Sequence, residues 1–256
     1  MTFLRAAAQQ RRVNDYSGLA GALKGIGDQM EISEGGTWSA ENKNQVFQFV
    51  DARLDTYFAN GSSGALQHSP AHFENLLSNA ITEQSAFEIK QGFLRLDDTK
   101  EFDEESFSKA IKAATAIANR GPKDSGGYLL FGVADSTADA NRVAEVWSAQ
   151  GIRYRDFHVV GTEHELTHLD QAADKFMLGL AKRIRSLPLP SAFAEDLIRN
   201  LRPVFYRQGK IVWIVTVPGA ENAVSFDGAF YDRIGAATEQ VPPARMQSFM
   251  SRFFTA

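Results

Sequence analysis

Cysteine is absent from the 256 residues, which excludes disulfides and every thiolate metal site, so no structural zinc is expected. No run of 18 or more apolar residues occurs, so no membrane-spanning helix and no membrane partner are expected. Internal repeats and low-complexity tracts are lacking too, which argues against a solenoid or a disordered tail. The opening MTFLRAAAQQRRVNDY turns polar too soon to serve as a secretory apolar segment, and a cytoplasmic location is the expectation. A strong net charge is also missing. At −4, the chain as a whole does not advertise a polyanion binder.

What is present is a globular composition, with 44% hydrophobic residues, 23% charged residues and 19 Phe, enough to bury one large or two smaller cores. Charge is unevenly spread. Residues 151–256 carry 13 Lys and Arg against 11 Asp and Glu, whereas residues 1–150 carry 14 against 20. The basic side chains concentrate in KRIRSL (182–187) and at Arg199, Arg202, Arg207 and Lys210. Lys182, Arg183 and Arg185 are therefore candidate nucleic-acid contacts, with a solvated helix face as the competing reading.

Periodicity divides the chain. ENKNQVFQFVDARLDTYF (41–58) places Val46, Phe47, Val50, Leu54 and Phe58 at helical spacing, and ANGSSGALQHSP (59–70) reads as a linker. Residues 1–65 are thus expected to be a helical extension with its linker, and residues 66–256 the main domain. A helix is predicted from Ser69-Pro70, serine as cap and proline at the first turn, to about Thr82-Glu83, with Phe73, Leu76, Leu77 and Ile81 inward. In SAFEIKQGF (85–93), Phe87, Ile89 and Phe93 alternate to one face of a strand, so Glu88 and Lys90 share the other. EESFSKAIKAATAIANR (104–120) predicts a helix, YLLFGV (128–133) a strand covered on both faces, and FHVVG (157–161) another strand. KIVWIVTVP (210–218) and GAFYDRIG (228–235) predict two more, and the ten-residue loop between them favours antiparallel pairing. The fold class is α+β: a mixed, mainly antiparallel sheet flanked by helices.

Three acids stand out by position. Glu83 lies at a helix end, Glu88 on the polar face of the next strand, and Asp135 just past the most apolar strand. If they converge, they would bind Mg²⁺ or Mn²⁺, hard cations that prefer oxygen. Such a site suits phosphodiester hydrolysis, with Lys90 holding the scissile phosphate. The competing reading is that acids at element ends are solvated caps.

The ordered series TEQSAFEIKQGF, KAATAIANRGPKDSGGYLLFGVAD and YDRIGAAT resembles the Schlafen AlbA-like domain family over about residues 70–256. The resemblance rests on Glu83, Glu88 and Lys90; on Ala116 to Asn119; on Gly126, Gly127, Gly132, Val133 and Asp135; and on Tyr231, Arg233 and Gly235. It implies a metal-dependent ribonuclease site with Glu83, Glu88 and Asp135 as catalytic acids and metal ligands, Lys90 as an auxiliary phosphate contact and Arg233 as a nucleic-acid contact. The paired glycines also have a physical reason, since they let backbones approach closely before a buried strand. The chain departs from the family pattern in EIK for E-F-K and in the long loop RGPKDS. The cysteine zinc finger of animal Schlafens cannot exist in it. The resemblance implies an endoribonuclease acting on structured RNA such as tRNA, with DNA as the alternative substrate and bacterial antiviral defence as the setting. It also implies a homodimer, or a partner protein docked through the N-terminal helices. The competing function is a non-catalytic module that binds nucleic acid, a nucleotide or a partner.

One motif stands apart. HELTH (164–168) has the H-E-x-x-H spacing of a zinc peptidase, with His164 and His168 as ligands and Glu165 as base. Context argues against that remote alternative, because Gln171 and Asp174 stand where a longer motif needs Gly and His. On one long helix the buried stripe is expected to run Leu169, Ala173, Phe176, Leu180, Ile184 and Leu187, leaving His164 and His168 on a solvated face. Thr162 and Glu165 are expected to form a capping box.

Overall fold

The computed structural model describes residues 12–13, 21, 24, 58–59, 70–81, 84–121 and 126–254. The chain divides into two compact units, Met1–His72 and Phe73–Ala256. In the first unit, β1 (Arg12–Val13) pairs antiparallel with β2 (Phe58–Ala59). Phe58 therefore belongs to a strand and not to the helix expected over 41–58, whose other residues lie outside the described ones, as do Ser69 and the expected helix end at Thr82-Glu83.

The rest of the chain opens with α1 (Pro70–Ala80), β3 (Phe87–Lys90) and α2 (Glu104–Ala118). Proline begins α1 because its missing donor is unpaired at that turn in any case. In α2 the Asp103 side chain accepts from the Ser106 N–H at 2.9 Å, and Glu104 and Glu105 favour the positive end of the helix. β4 (Gly127–Phe131) and β5 (Val133–Ala134) follow, then α3 (Thr137–Trp147), β6 (Ile152–Tyr154) and β7 (Phe157–Val159). The chain continues through α4 (Glu163–His168), α5 (Ala173–Ser186), α6 (Ser191–Arg199), β8 (Leu201–Phe205) and β9 (Ile211–Val217). It closes with β10 (Ser225–Phe226), β11 (Ala229–Ile234), β12 (Ala237–Gln240) and α7 (Met246–Met250).

The fold is α+β. The main sheet has the order β3-β4-β9-β8, with only the β3–β4 pair parallel. Two smaller sheets, β5-β7-β6 and β10-β11-β12, are antiparallel. The central strands β4 and β9 are apolar on both faces, as the run YLLFGV requires. Leu129, Phe131, Trp213 and Val215 face one core with α2, α5 and α6, while Leu130, Val212 and Ile214 face another with Phe73, Leu77 and Phe87. Phe93 anchors the first core, its ring 4.4 Å from that of Phe131. Trp213 is fully buried, and its indole N–H donates to Thr162 Oγ1 at 3.0 Å, so its one polar atom is satisfied. No helix among the described residues is long and apolar enough to cross a membrane.

Three sequence expectations change here. YLLFGV is not one strand. Gly132, at φ +90, turns the chain out of the main sheet and into the β5-β7-β6 sheet, in a conformation that L side chains rarely adopt. Strands form within KIVWIVTVP and GAFYDRIG, but they do not pair with each other: β9 pairs with β4 and β8, and β11 with β10 and β12. Phe93 lies beyond the strand and belongs to the opposite core from Phe87. The glycine argument for Gly126 and Gly127 holds, since a Cβ on either would run into the backbone of Val217 or Ala86.

Candidate functional site: a two-part cleft at the end of the edge strand

Strand β3 is an edge of the main sheet, and period-two alternation sets its polar side chains together. Lys90 Nζ lies 2.6 Å from Glu88 Oε1. Arg233, from β11, reaches the same carboxylate: its Nη2 stands 2.9 Å from Glu88 Oε2 and also donates to the Phe87 carbonyl. A second bond, from Nη1 to Thr238 Oγ1 at 2.8 Å, fixes the guanidinium from its own sheet. With its side chain 2% exposed, Arg233 is a clamp between two sheets as well as part of the cleft wall.

Asp135 is brought to the same place by the backbone. The Gly132 N–H donates to the Lys90 carbonyl at 2.9 Å, and β5 then carries the chain outward to Asp135. Immediately afterwards Ser136 caps α3. Its hydroxyl accepts from the Asp139 N–H at 3.1 Å and donates to Asp139 Oδ2 at 2.6 Å. Asp135 is thus held between a strand end and a helix start, exposed, with no ion pair among the described residues.

Glu88, Lys90, Asp135 and Arg233 all line one cleft of about 490 Å³, together with Asp156 from the β6–β7 turn and the apolar side chains Ile81, Phe87, Ile89 and Phe157. Sequence reasoning missed Asp156, because a carboxylate at a hairpin tip has no local signal. Glu83 lies outside the described residues. Among those that are described, no three metal-ligating side chains gather around one point.

A second cleft of about 450 Å³ shares Ile89, Lys90 and Asp135 with the first. Its floor answers the HELTH question. Glu165 is buried, and its carboxyl accepts from the N–H groups of Phe93 (3.0 and 3.1 Å) and Leu94 (3.0 Å), the loop that follows Lys90. The expected capping box does not form: Thr162 makes no side-chain cap bond and donates instead to the Ile211 carbonyl at 3.1 Å. Nor is there one long helix, since the chain breaks between His168 and Ala173 into α4 and α5. The histidine face is not simply solvated either. His164, 11% exposed, and His168 both pack on Trp147, at ring distances of 5.1 and 5.3 Å. In this chain HELTH braces the wall of a cleft.

Burial pushes the Glu165 carboxyl up to about 8, against the Leu94 and Phe93 N–H bonds that favour its charged form. An acid whose pKa rises on folding holds its proton more tightly in the folded chain. Its contribution is therefore fully present below pH 4.5 and lost as pH climbs through 8. Glu165→Gln keeps an acceptor for both N–H groups and is expected to remove that decline, which urea unfolding at pH 5 and pH 9 measures.

The expected basic surface is only partly free. Arg183 pairs with Glu104 and lies over the Phe102 ring at 3.7 Å, Arg185 pairs with Glu195 at 2.7 Å, and Lys182 is exposed. None of the three lines either cleft. Lys210, grouped with surface basic residues by sequence, is buried with its Nζ 2.7 Å from Glu163 Oε1. Burial alone would raise the Glu163 carboxyl, but the neighbouring His164 and Lys210 hold it down to about 2. A depressed acid adds stability that is present above pH 4.5 and lost as pH falls through 2. Lys210→Met is expected to cost about 1–3 kcal/mol at pH 7 and to reduce this acid-side loss, read by chemical denaturation at pH 3, 5 and 7.

No family model matches the chain, and no curated protein matches it. Among solved structures it is similar to the crystal structure of the DIP2311 protein from Corynebacterium diphtheriae, at 15% identity and a TM-score of 0.40. That match covers 70% of this chain and 28% of the other, so the chain spans under a third of the length of that protein.

Proposed function

We propose that the two-part cleft is a divalent-cation-assisted phosphodiester hydrolase site acting on RNA, of the kind the Schlafen AlbA-like resemblance implies. One observation carries this reading: Glu88, Lys90 and Asp135, chosen from sequence and drawn from two different sheets, line a single cleft with Arg233. Mg²⁺ sites in phosphoryl chemistry use one or two carboxylates, with water and the substrate's own oxygens completing the shell. Asp135 would hold the ion with Glu88, and Asp156 carries no ion pair among the described residues.

When bound, such an ion supplies an acidified water and offsets charge developing on the phosphate. The chain's own groups do the rest. Lys90, with its side chain 28% exposed, can leave Glu88 and take a phosphate oxygen as a mobile point charge. Arg233 cannot follow, being fixed at three acceptors, so it orients Glu88 through Oε2 and leaves Oε1 facing the cleft. Three carboxylates against two cations repel a bare phosphate, which is why phosphate binding in this cleft calls for a divalent ion. A cytoplasmic setting, where structured RNA is available, belongs to the same reading.

A second reading draws on a specific observation: both Glu88 oxygens are engaged, by Lys90 and by Arg233. In that reading the cleft binds nucleic acid or nucleotide without cutting it. Incubating the full chain with tRNA separates the two. Cleavage in Mg²⁺ or Mn²⁺ that stops with chelator supports hydrolysis, whereas binding unaffected by chelator, with the RNA intact, supports the non-catalytic module.

A further inference from the structure

The second cleft has a chemistry of its own. The cleft offers aliphatic side chains from Ile89, Leu94, Leu96, Val133 and Val143 for a flat ring to pack on, within a lining that is mostly polar. Its polar lining is dominated by acceptors. Gln91 Oε1, just after β3, is buried without a hydrogen-bond partner among the described residues, whereas His164 Nδ1 is turned towards Glu163 Oε1 at 4.0 Å. Asp103 and Asp139 add carboxylates at the helix caps. A buried acceptor without a donor costs free energy, so a ligand that brings N–H groups gains by filling it.

We propose that this second cleft is a base pocket that takes an amino-bearing nucleobase (adenine, cytosine or guanine) in preference to uracil, while the phosphate stays at Lys90 in the first cleft. The proposal rests on the phosphodiester reading and deepens it. Continuity through Lys90 and Asp135 lets one nucleotide reach both parts. Charge assigns the halves: acids Asp103, Asp135 and Asp139 against the single cation Lys90 discourage phosphate in the second cleft and favour N–H donors. An exocyclic amine offers two such donors on one atom. Uracil offers one imide N–H between two carbonyls, so seating it turns a carbonyl towards the acceptors.

The test uses nucleosides, which carry no phosphate, beside RNA. Adenosine, cytidine and uridine are titrated into the full chain by NMR, and tRNA cleavage is measured on the same preparation. Adenosine and cytidine are expected to bind at least about tenfold more tightly than uridine. Gln91→Leu, which removes the unpaired acceptor, is expected to erase that ratio, and Ser106→Phe, which fills the cleft, to abolish nucleoside binding. Both variants are checked for an unchanged unfolding midpoint. Equal binding of the three nucleosides, or none, with tRNA still cleaved, overturns the base pocket and leaves the hydrolytic reading in place. Discrimination between nucleosides without cleavage keeps the pocket and removes hydrolysis. Neither nucleoside binding nor cleavage overturns both.

Discussion

Asp135→Asn is expected to slow cleavage of structured RNA at least about a hundredfold, the scale seen when one electrostatic partner of a phosphoryl or acyl transition state is removed. Asparagine keeps the shape and discards the charge that would hold a hard cation. The substitution is clean for a structural reason. Asp135 is exposed and makes no ion pair among the described residues, while the neighbouring cap is built from Ser136 and Asp139. Its unfolding free energy should therefore move by less than about 0.5 kcal/mol. Single-turnover cleavage and urea denaturation, on one preparation, read the two effects separately. A Glu88→Gln variant is also expected to lose cleavage, but it simultaneously strips the buried Arg233 of its counterion. Asp135 is the better probe.

Arg233→Met is expected to cost about 3–5 kcal/mol of stability, the usual consequence of removing one member of a buried ion pair. The guanidinium joins β11 to β3 through Glu88 and the Phe87 carbonyl, and to β12 through Thr238. Without it Glu88 keeps only the partly exposed Lys90. The magnitude reflects the stranded carboxylate more than the lost bonds, and a second substitution isolates that cause. In the double variant Arg233→Met with Glu88→Met, the charge is gone along with its partner, and most of the loss is expected to return. Urea midpoints of the parent, both single variants and the double variant complete the cycle. A double variant as unstable as the sum of the singles would place the cost in packing between the sheets.

Local physics made part of this site legible before any coordinates. Alternation in FEIK placed Glu88 and Lys90 on one face, and they stand 2.6 Å apart. The apolar run before Asp135 marked a buried strand whose end supports that acid. Other features depend on partners far along the chain, which periodicity does not see. Lys210 looked like one more surface cation because nothing near it in sequence announces Glu163. Arg233 looked like a nucleic-acid contact, and only its contacts from β11 to β3 reveal the clamp. For Glu165 the spacing from Thr162 suggested a cap, but the carboxyl is buried and is satisfied by a loop 71 residues away. Gly132 shows the same lesson in the backbone, where a continuous apolar run hides a turn between two sheets.

The central claim is that Glu88 and Asp135 hold one hard cation at the end of β3. A crystal of the full chain soaked in Mn²⁺ and measured at the manganese absorption edge tests it most directly. The expected result is an anomalous peak bonded to carboxylate oxygens of Glu88 and Asp135, with the Lys90 ammonium moved off Glu88 Oε1. A cleft with no manganese, and Glu88 still bound by both Lys90 and Arg233, would contradict it.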